Sequence, residues 1–141
     1  MSDKLRIYAL DRIKALESTE RKIKLPKKFD AAKFFVDFFG IIIGDEDFDV
    51  EPVALKVDSW QSKYLRTLPL HHSQVEVVRN EEYSIFEYRL CPSFDFRQKI
   101  LSMGATTEVL APATLIAKVC EEGIAEPTQQ NEEYKFKVYK K

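Results

Sequence analysis

The sequence is poor in the residues that staple or punctuate a chain, holding two cysteines, two histidines and four glycines in 141 residues. Cys91 and Cys120 could close at most one bridge and lie in no CxxC or Cys/His cluster. That excludes a disulfide scaffold and a zinc ribbon; set in apolar runs, both thiols read as buried and reduced. Gly40, Gly44, Gly104 and Gly123 are too scattered to build a P-loop or a GxGxxG turn. Charge of one sign is also missing. The balance of 22 basic and 23 acidic residues gives a net charge of -1, so nothing draws the whole molecule to DNA or to an anionic membrane. Any nucleic-acid contact must come from a local patch. The longest apolar run, "FFVDFFGIII" (34–43), is interrupted by Asp37 and too short to span a bilayer, and "MSDKLR" lacks an apolar signal region. The expectation is a cytoplasmic protein with no membrane partner.

Nucleophilic and metal chemistry is equally thin. His71 and His72 are adjacent, so in an extended segment their rings point to opposite sides and cannot share one metal ion. "HHSQ" (71–74) carries no hydrolase signature and reads as a loop leading into a strand. The acidic loop with Asp45, Glu46, Asp47 and Asp49 fails the alternate-ligand spacing of an EF-hand. No catalytic residue, metal or cofactor is therefore expected.

What is present is a core. A chain with 45% hydrophobic residues can fold as one domain, or as a small domain with an appendage. In "LRIYALDRIKAL" (5–16), Leu5, Ile7 and Ala9 alternate with Arg6 and Tyr8, the period of a strand, yet no partner strand follows. "STERKIKLPKKFD" (18–30) is charged and holds Pro26, which makes it a linker. Its basic cluster is either a solvated connector or a nucleic-acid contact. Asp30 can cap a helix "AAKFFVDFF" (31–39) whose Phe34, Phe35, Phe38 and Phe39 share one face, with Gly40 ending it. Such a face serves as core or as an association surface.

From Val53 the order becomes regular. "VALKVDSW" (53–60) turns Val53, Leu55 and Val57 inward as a strand, and "QSKYLRTL" (61–68) makes a helix bearing Tyr64, Leu65 and Leu68. "SQVEVVRN" (73–80) and "YSIFEYRLC" (83–91) form a hairpin about Asn80, Glu81 and Glu82. Ser93 can cap a helix "FDFRQKILSM" (94–103) with Phe96, Ile100 and Met103 on one face and Gly104 at its end, before the strand "TTEVLAP" (106–112). A last helix opens near Pro112 with Leu115, Ile116, Val119 and Cys120 in a stripe. The tail with Tyr134, Phe136, Val138 and Tyr139 reads as an extra strand or a frayed end. The fold class is α+β, with the ferredoxin-like order βαββαβ preceded by an orphan strand and a helix.

In order and spacing, "LRIYALDRIKAL" (5–16), "LPKKFDAAKFFVDFFGI" (25–41), "PLHHSQ" (69–74) and "ILSMGATTEVLAPATL" (100–115) resemble the C-terminal part of bacterial WYL-domain transcriptional regulators. That family places a winged helix-turn-helix before an SH3-like WYL barrel and a ferredoxin-like C-terminal extension. The resemblance implies residues 1–16 as the last strand of the barrel, 17–50 as linker and Phe-rich helix, 51–126 as the extension and 127–141 as a polar tail. Neither a helix-turn-helix nor the Trp-Tyr-Leu signature occurs, so the chain is expected to be a fragment, excised or naturally truncated.

What the resemblance implies for function is a regulatory module that senses an effector and dimerises, reaching promoter DNA only through the missing N-terminal part. In some members the effector resembles single-stranded DNA, which suits cations tracking phosphates. The candidates are Arg6, Arg12, Lys63, Arg66, His71 and Gln74, each of which is also an ordinary surface residue. Ile7, Phe34, Phe35, Phe38 and Phe39 would form the packing or dimer surface. Two rivals are a pure assembly domain without ligand and a ferredoxin-like domain for a small molecule.

Overall fold

A computed structural model describes residues 10–22, 29–42, 49–123 and 134–138. The expected strand about Ile7, with Arg6, lies outside them, as does most of the acidic loop. Residues 10–12 form a single exposed 3-10 turn, Leu10–Arg12.

The organising element is β1 (Glu51–Asp58), in which Val53, Leu55 and Val57 are wholly buried, as their alternation predicts. It pairs antiparallel along its whole length with β3 (Tyr83–Leu90), from Glu51 opposite Leu90 to Asp58 opposite Tyr83. β2 (Val75–Arg79) joins the far side of β3, and β4 (Thr107–Ala111) joins β1, giving one antiparallel sheet in the order β2-β3-β1-β4. The hairpin between β2 and β3 closes on Asn80. Its Oδ1 accepts the Glu82 and Tyr83 amides at 2.9 and 2.8 Å, the local turn that Asn makes well.

Among the described residues, α1 (Ala31–Phe35), α2 (Ser59–Thr67), α3 (Phe94–Met103) and α4 (Ala113–Gly123) are the α-helices. Leu65 of α2, Phe96, Ile100 and Met103 of α3 and Leu115 of α4 join Phe86, Tyr88 and Leu90 of β3 in one core. α2, α3 and α4 therefore cover the same face of the sheet. α3 and α4 are tied by the buried Arg97, whose Nε donates to Glu122 Oε1 at 2.7 Å and Nη1 to the Pro92 carbonyl at 2.9 Å.

Within the secondary structure and its caps, the structure departs from the sequence expectation at α1, at both ends of the reading of α2, and at Ser93. α1 ends at Phe35 instead of Phe39, because Phe38 leaves the helix to bridge Cys91 at the end of β3, whose amide donates to the Asp37 carbonyl at 2.7 Å. Trp60 belongs to α2, since Asp58 caps that helix by accepting the Gln61 amide at 2.6 Å. Only Leu65 of the expected α2 face is buried; Tyr64 and Leu68 point outward. Ser93 stands at the start of α3, but its hydroxyl donates to the Phe39 carbonyl at 2.8 Å rather than capping. Asp30 does cap α1, accepting the Ala32 and Lys33 amides, and Gly104 ends α3 at φ 57°.

The Phe-rich segment is thus stitched to the domain. Phe39 packs edge-on against Phe96 with centroids 5.7 Å apart, and Asp95 Oδ2 accepts the Ile41 and Ile42 amides at 2.7 and 2.9 Å. Gly40 makes this approach possible: φ is 80°, and a Cβ there would land on the Asp95 carboxylate. Gly40→Ala is expected to destabilise the fold by about 2 kcal/mol, from left-handed backbone strain and loss of the Asp95 bonds. Chemical denaturation checks this, and equal midpoints for Gly40→Ala and wild type would overturn it.

Candidate functional site

The five candidates among the described residues are not gathered into one patch. Arg6 lies outside the described residues, Arg12 is exposed on its 3-10 turn, and Lys63 is exposed on α2. The other three spend their polar atoms inside the fold. Arg66 grips Glu76 of β2 through Nε and Nη2 at 2.7 to 3.1 Å, and Nη2 also donates to Ser84 Oγ at 2.9 Å. This forked pair pulls the Glu76 carboxyl below its ordinary range and raises the guanidinium further. It clips α2 across the hairpin.

Gln74 is a second clip. Its Nε2 donates to the Leu65 carbonyl at 2.7 Å, and its Oε1 accepts the Leu70 amide at 3.1 Å and the buried Tyr88 hydroxyl at 3.0 Å. Burial holds the Tyr88 phenol neutral far above its usual titration range.

His71 is buried between the domain and the Phe-rich segment. Its Nε2 lies 2.8 Å from the Val36 carbonyl, so this nitrogen carries the proton. Nδ1 faces Ser73, 2.7 Å from Oγ and 3.3 Å from the donating Ser73 amide. A neutral ring satisfies both sides. The His72 ring lies beside it with centroids 4.1 Å apart, contrary to the expected divergence, because residues 71–73 bend instead of extending. The described residues hold no cluster of three or more His, Cys, Asp or Glu side chains suited to a metal, and none of their helices is long and apolar enough to cross a membrane.

The aromatic candidates divide as well. Phe39 faces the core, Phe34 and Phe38 are half-buried with centroids 5.6 Å apart, and Phe35 is exposed and meets Phe34 edge-on. Ile7 lies outside the described residues. An exposed stripe not anticipated from the sequence runs along α2. Trp60 and Tyr64 stack edge-on at 4.7 Å, and Leu68, 77% exposed, continues the line one turn on.

The face of the sheet away from the helices holds the most unusual group in the fold. Glu87 of β3 is fully buried there, beside Ala54 of β1 and Val75 of β2. Its Oε1 accepts the Tyr134 hydroxyl at 2.9 Å and the Lys137 amide at 2.6 Å; its Oε2 accepts the Val138 amide at 2.7 Å. Burial and the nearby carboxylate push the Tyr134 phenol well above its ordinary range. The signal was readable. With Phe86 and Tyr88 committed to the core, Glu87 must stand mid-strand on the opposite face. Farther along that face a shallow depression of about 280 Å³ lies against Lys56 and Tyr83; Lys56 Nζ is 4.9 Å from the ring centroid and 3.7 Å from Glu108.

No protein-family model and no curated protein matches the chain.

The geometry of His71 yields a pH dependence. Burial, the largest cause, and His72 lower its pKa from the ordinary 6.5, outweighing the Val36 carbonyl and Asp37, which raise it. The unfolded chain therefore binds this proton first as pH falls. The His71 contribution to stability is complete above about pH 6.5 and declines below it, by at most about 1.4 kcal/mol per pH unit. Denaturation of wild type and His71→Gln between pH 7.5 and 5.5 should show a shallower decline in the variant. Parallel declines would refute the assignment.

Proposed function

We propose that this chain is a non-catalytic regulatory module, the effector-sensing and dimerising region of a WYL-type transcription regulator with a ferredoxin-like extension. The reading assigns promoter contact to a separate helix-turn-helix. The observation that carries it is the stitching of the Phe-rich segment to the domain through Phe38 with Cys91, His71 with Val36, and Asp95 with Ile41 and Ile42. Connector and sheet domain then move as one body, which is what a module relaying an effector signal requires. The antiparallel order β2-β3-β1-β4 is compatible with a ferredoxin-like βαββαβ unit and supports the same reading.

In this proposal the candidates among the described residues left to meet an anionic, single-stranded effector are Arg12 and Lys63, since Arg66, His71 and Gln74 hold the fold. A pure assembly role is the second reading, favoured by the exposed Trp60, Tyr64 and Leu68 stripe.

Light scattering and titration with a short single-stranded oligonucleotide separate the two. Sensing predicts a dimer with saturable binding whose salt slope falls by about 0.7 for each of Arg12→Ala and Lys63→Ala. A dimer indifferent to oligonucleotides rejects sensing of single strands and leaves assembly. Tight, sequence-specific binding of duplex DNA by the isolated chain would defeat both.

A further inference from the structure

Glu87 poses a problem that the sheet itself does not solve. Its neighbours across the strands, Ala54 and Val75, offer no side-chain donor to a carboxylate. Yet it is fully buried, and among the described residues the donors that reach it are the Tyr134 hydroxyl and the Lys137 and Val138 amides. Burial without partners is the one condition a carboxylate does not tolerate. It is satisfied either hydrated on an uncovered sheet or clamped beneath this segment. Both states leave the core untouched, because Phe86 and Tyr88 on either side of Glu87 face the helices.

The covering segment is also held differently from a strand. Residues 134–138 have no strand or helix structure, and among the described residues their polar ties to the domain are those on Glu87 plus Lys137 Nζ to the Val77 carbonyl at 3.5 Å. Val77 stands at the irregularity in the pairing of edge strand β2 with β3. A single buried anchor of one sign, met by donors from a short piece of chain that bends at Lys137 and Val138, has the form of peptide recognition rather than sheet extension.

We propose that the sheet face at Glu87 is an exchangeable peptide-binding site, filled in cis by residues 134–138. Its ligand is a short peptide that bends to present two consecutive main-chain N–H groups to the carboxylate, as Lys137 and Val138 do, with a tyrosine three residues before the first of them. Lysine at that first donor position reaches the Val77 carbonyl. The site selects by donors: proline at either amide position removes one, and a phenylalanine for the tyrosine removes another.

The test uses the full-length chain and a fluorescein-labelled peptide of residues 131–141, "NEEYKFKVYKK". Lys137→Pro in the protein deletes one anchoring amide and unseats the internal segment. That variant should bind the peptide at least tenfold more tightly than wild type by fluorescence anisotropy. The same peptide carrying Lys137→Pro should bind at least tenfold more weakly, and adding Glu87→Gln to the protein should remove the gain. Tyr134→Phe in the protein, a milder change, should give an intermediate gain. The proposal is overturned if Lys137→Pro and Tyr134→Phe, with unchanged near-ultraviolet circular dichroism, bind no better than wild type. It is overturned equally if binding survives Glu87→Gln.

Discussion

The pairing of β1 with β3 is the constraint on which the remaining structure rests. It runs the full length of both strands, and it places Val53, Leu55 and Val57 on the same side as Phe86, Tyr88 and Leu90. That side must be dry, and three helices keep it so. Each helix carries a polar clip as well as apolar burial: Arg66 with Glu76 for α2, and Arg97 with Glu122 between α3 and α4. Burial supplies most of the stability, roughly 1.5–3 kcal/mol for a large apolar side chain, while the clips fix which helix sits where. A forked Arg–carboxylate pair tolerates little rotation, so it orients a helix that Leu65 alone would leave free to roll.

The same alternation that buries one side dictates the other. Strand residues between core positions face the other side, and there Glu87, beside the equally buried Ala54, is covered by the segment that bonds to it. This is why the two faces have different chemistry. The helix face is closed by apolar contact made by residues near in the chain to the strands they cover. The opposite face is closed by hydrogen bonds from a segment some 50 residues away in sequence. Apolar closure is non-directional and resists removal; closure on a carboxylate is directional and competes with water for every bond.

How much of this was legible in the sequence follows from the same distinction. Strands and helices that answer to local signals were readable: the inward period of β1, the Asn80 turn, the Asp30 cap and Gly104 at the end of α3. What could not be read were choices between two local options settled from afar. Phe38 fits an apolar helix face, but the bridge to Cys91 takes it out of the helix. Ser93 is a good cap by composition, yet the Phe39 carbonyl claims its hydroxyl. Trp60 passed for a strand residue until Asp58 began a helix beneath it. At the candidate site the difficulty was sharper. Arg66, His71 and Gln74 have the chemistry of ligand binders, and a linear sequence does not disclose that Glu76, Val36 and Leu65 already occupy them.

His71 shows how such an occupied group still matters to function. Its ring spans the boundary between the Phe-rich segment and the domain, with Val36 on one nitrogen and Ser73 on the other. Ser73 Oγ in turn accepts the Arg89 amide at 3.0 Å, which continues the chain of bonds into β3. One strand away from Arg89's neighbour Tyr88, Gln74 links the same region to α2 through Leu65. A displacement of the Phe-rich segment must therefore strain the loop that seats β2, or break a buried bond. Coupling of this kind needs no moving part of its own: it needs a polar junction with no second way to be satisfied, and the buried neutral histidine provides one.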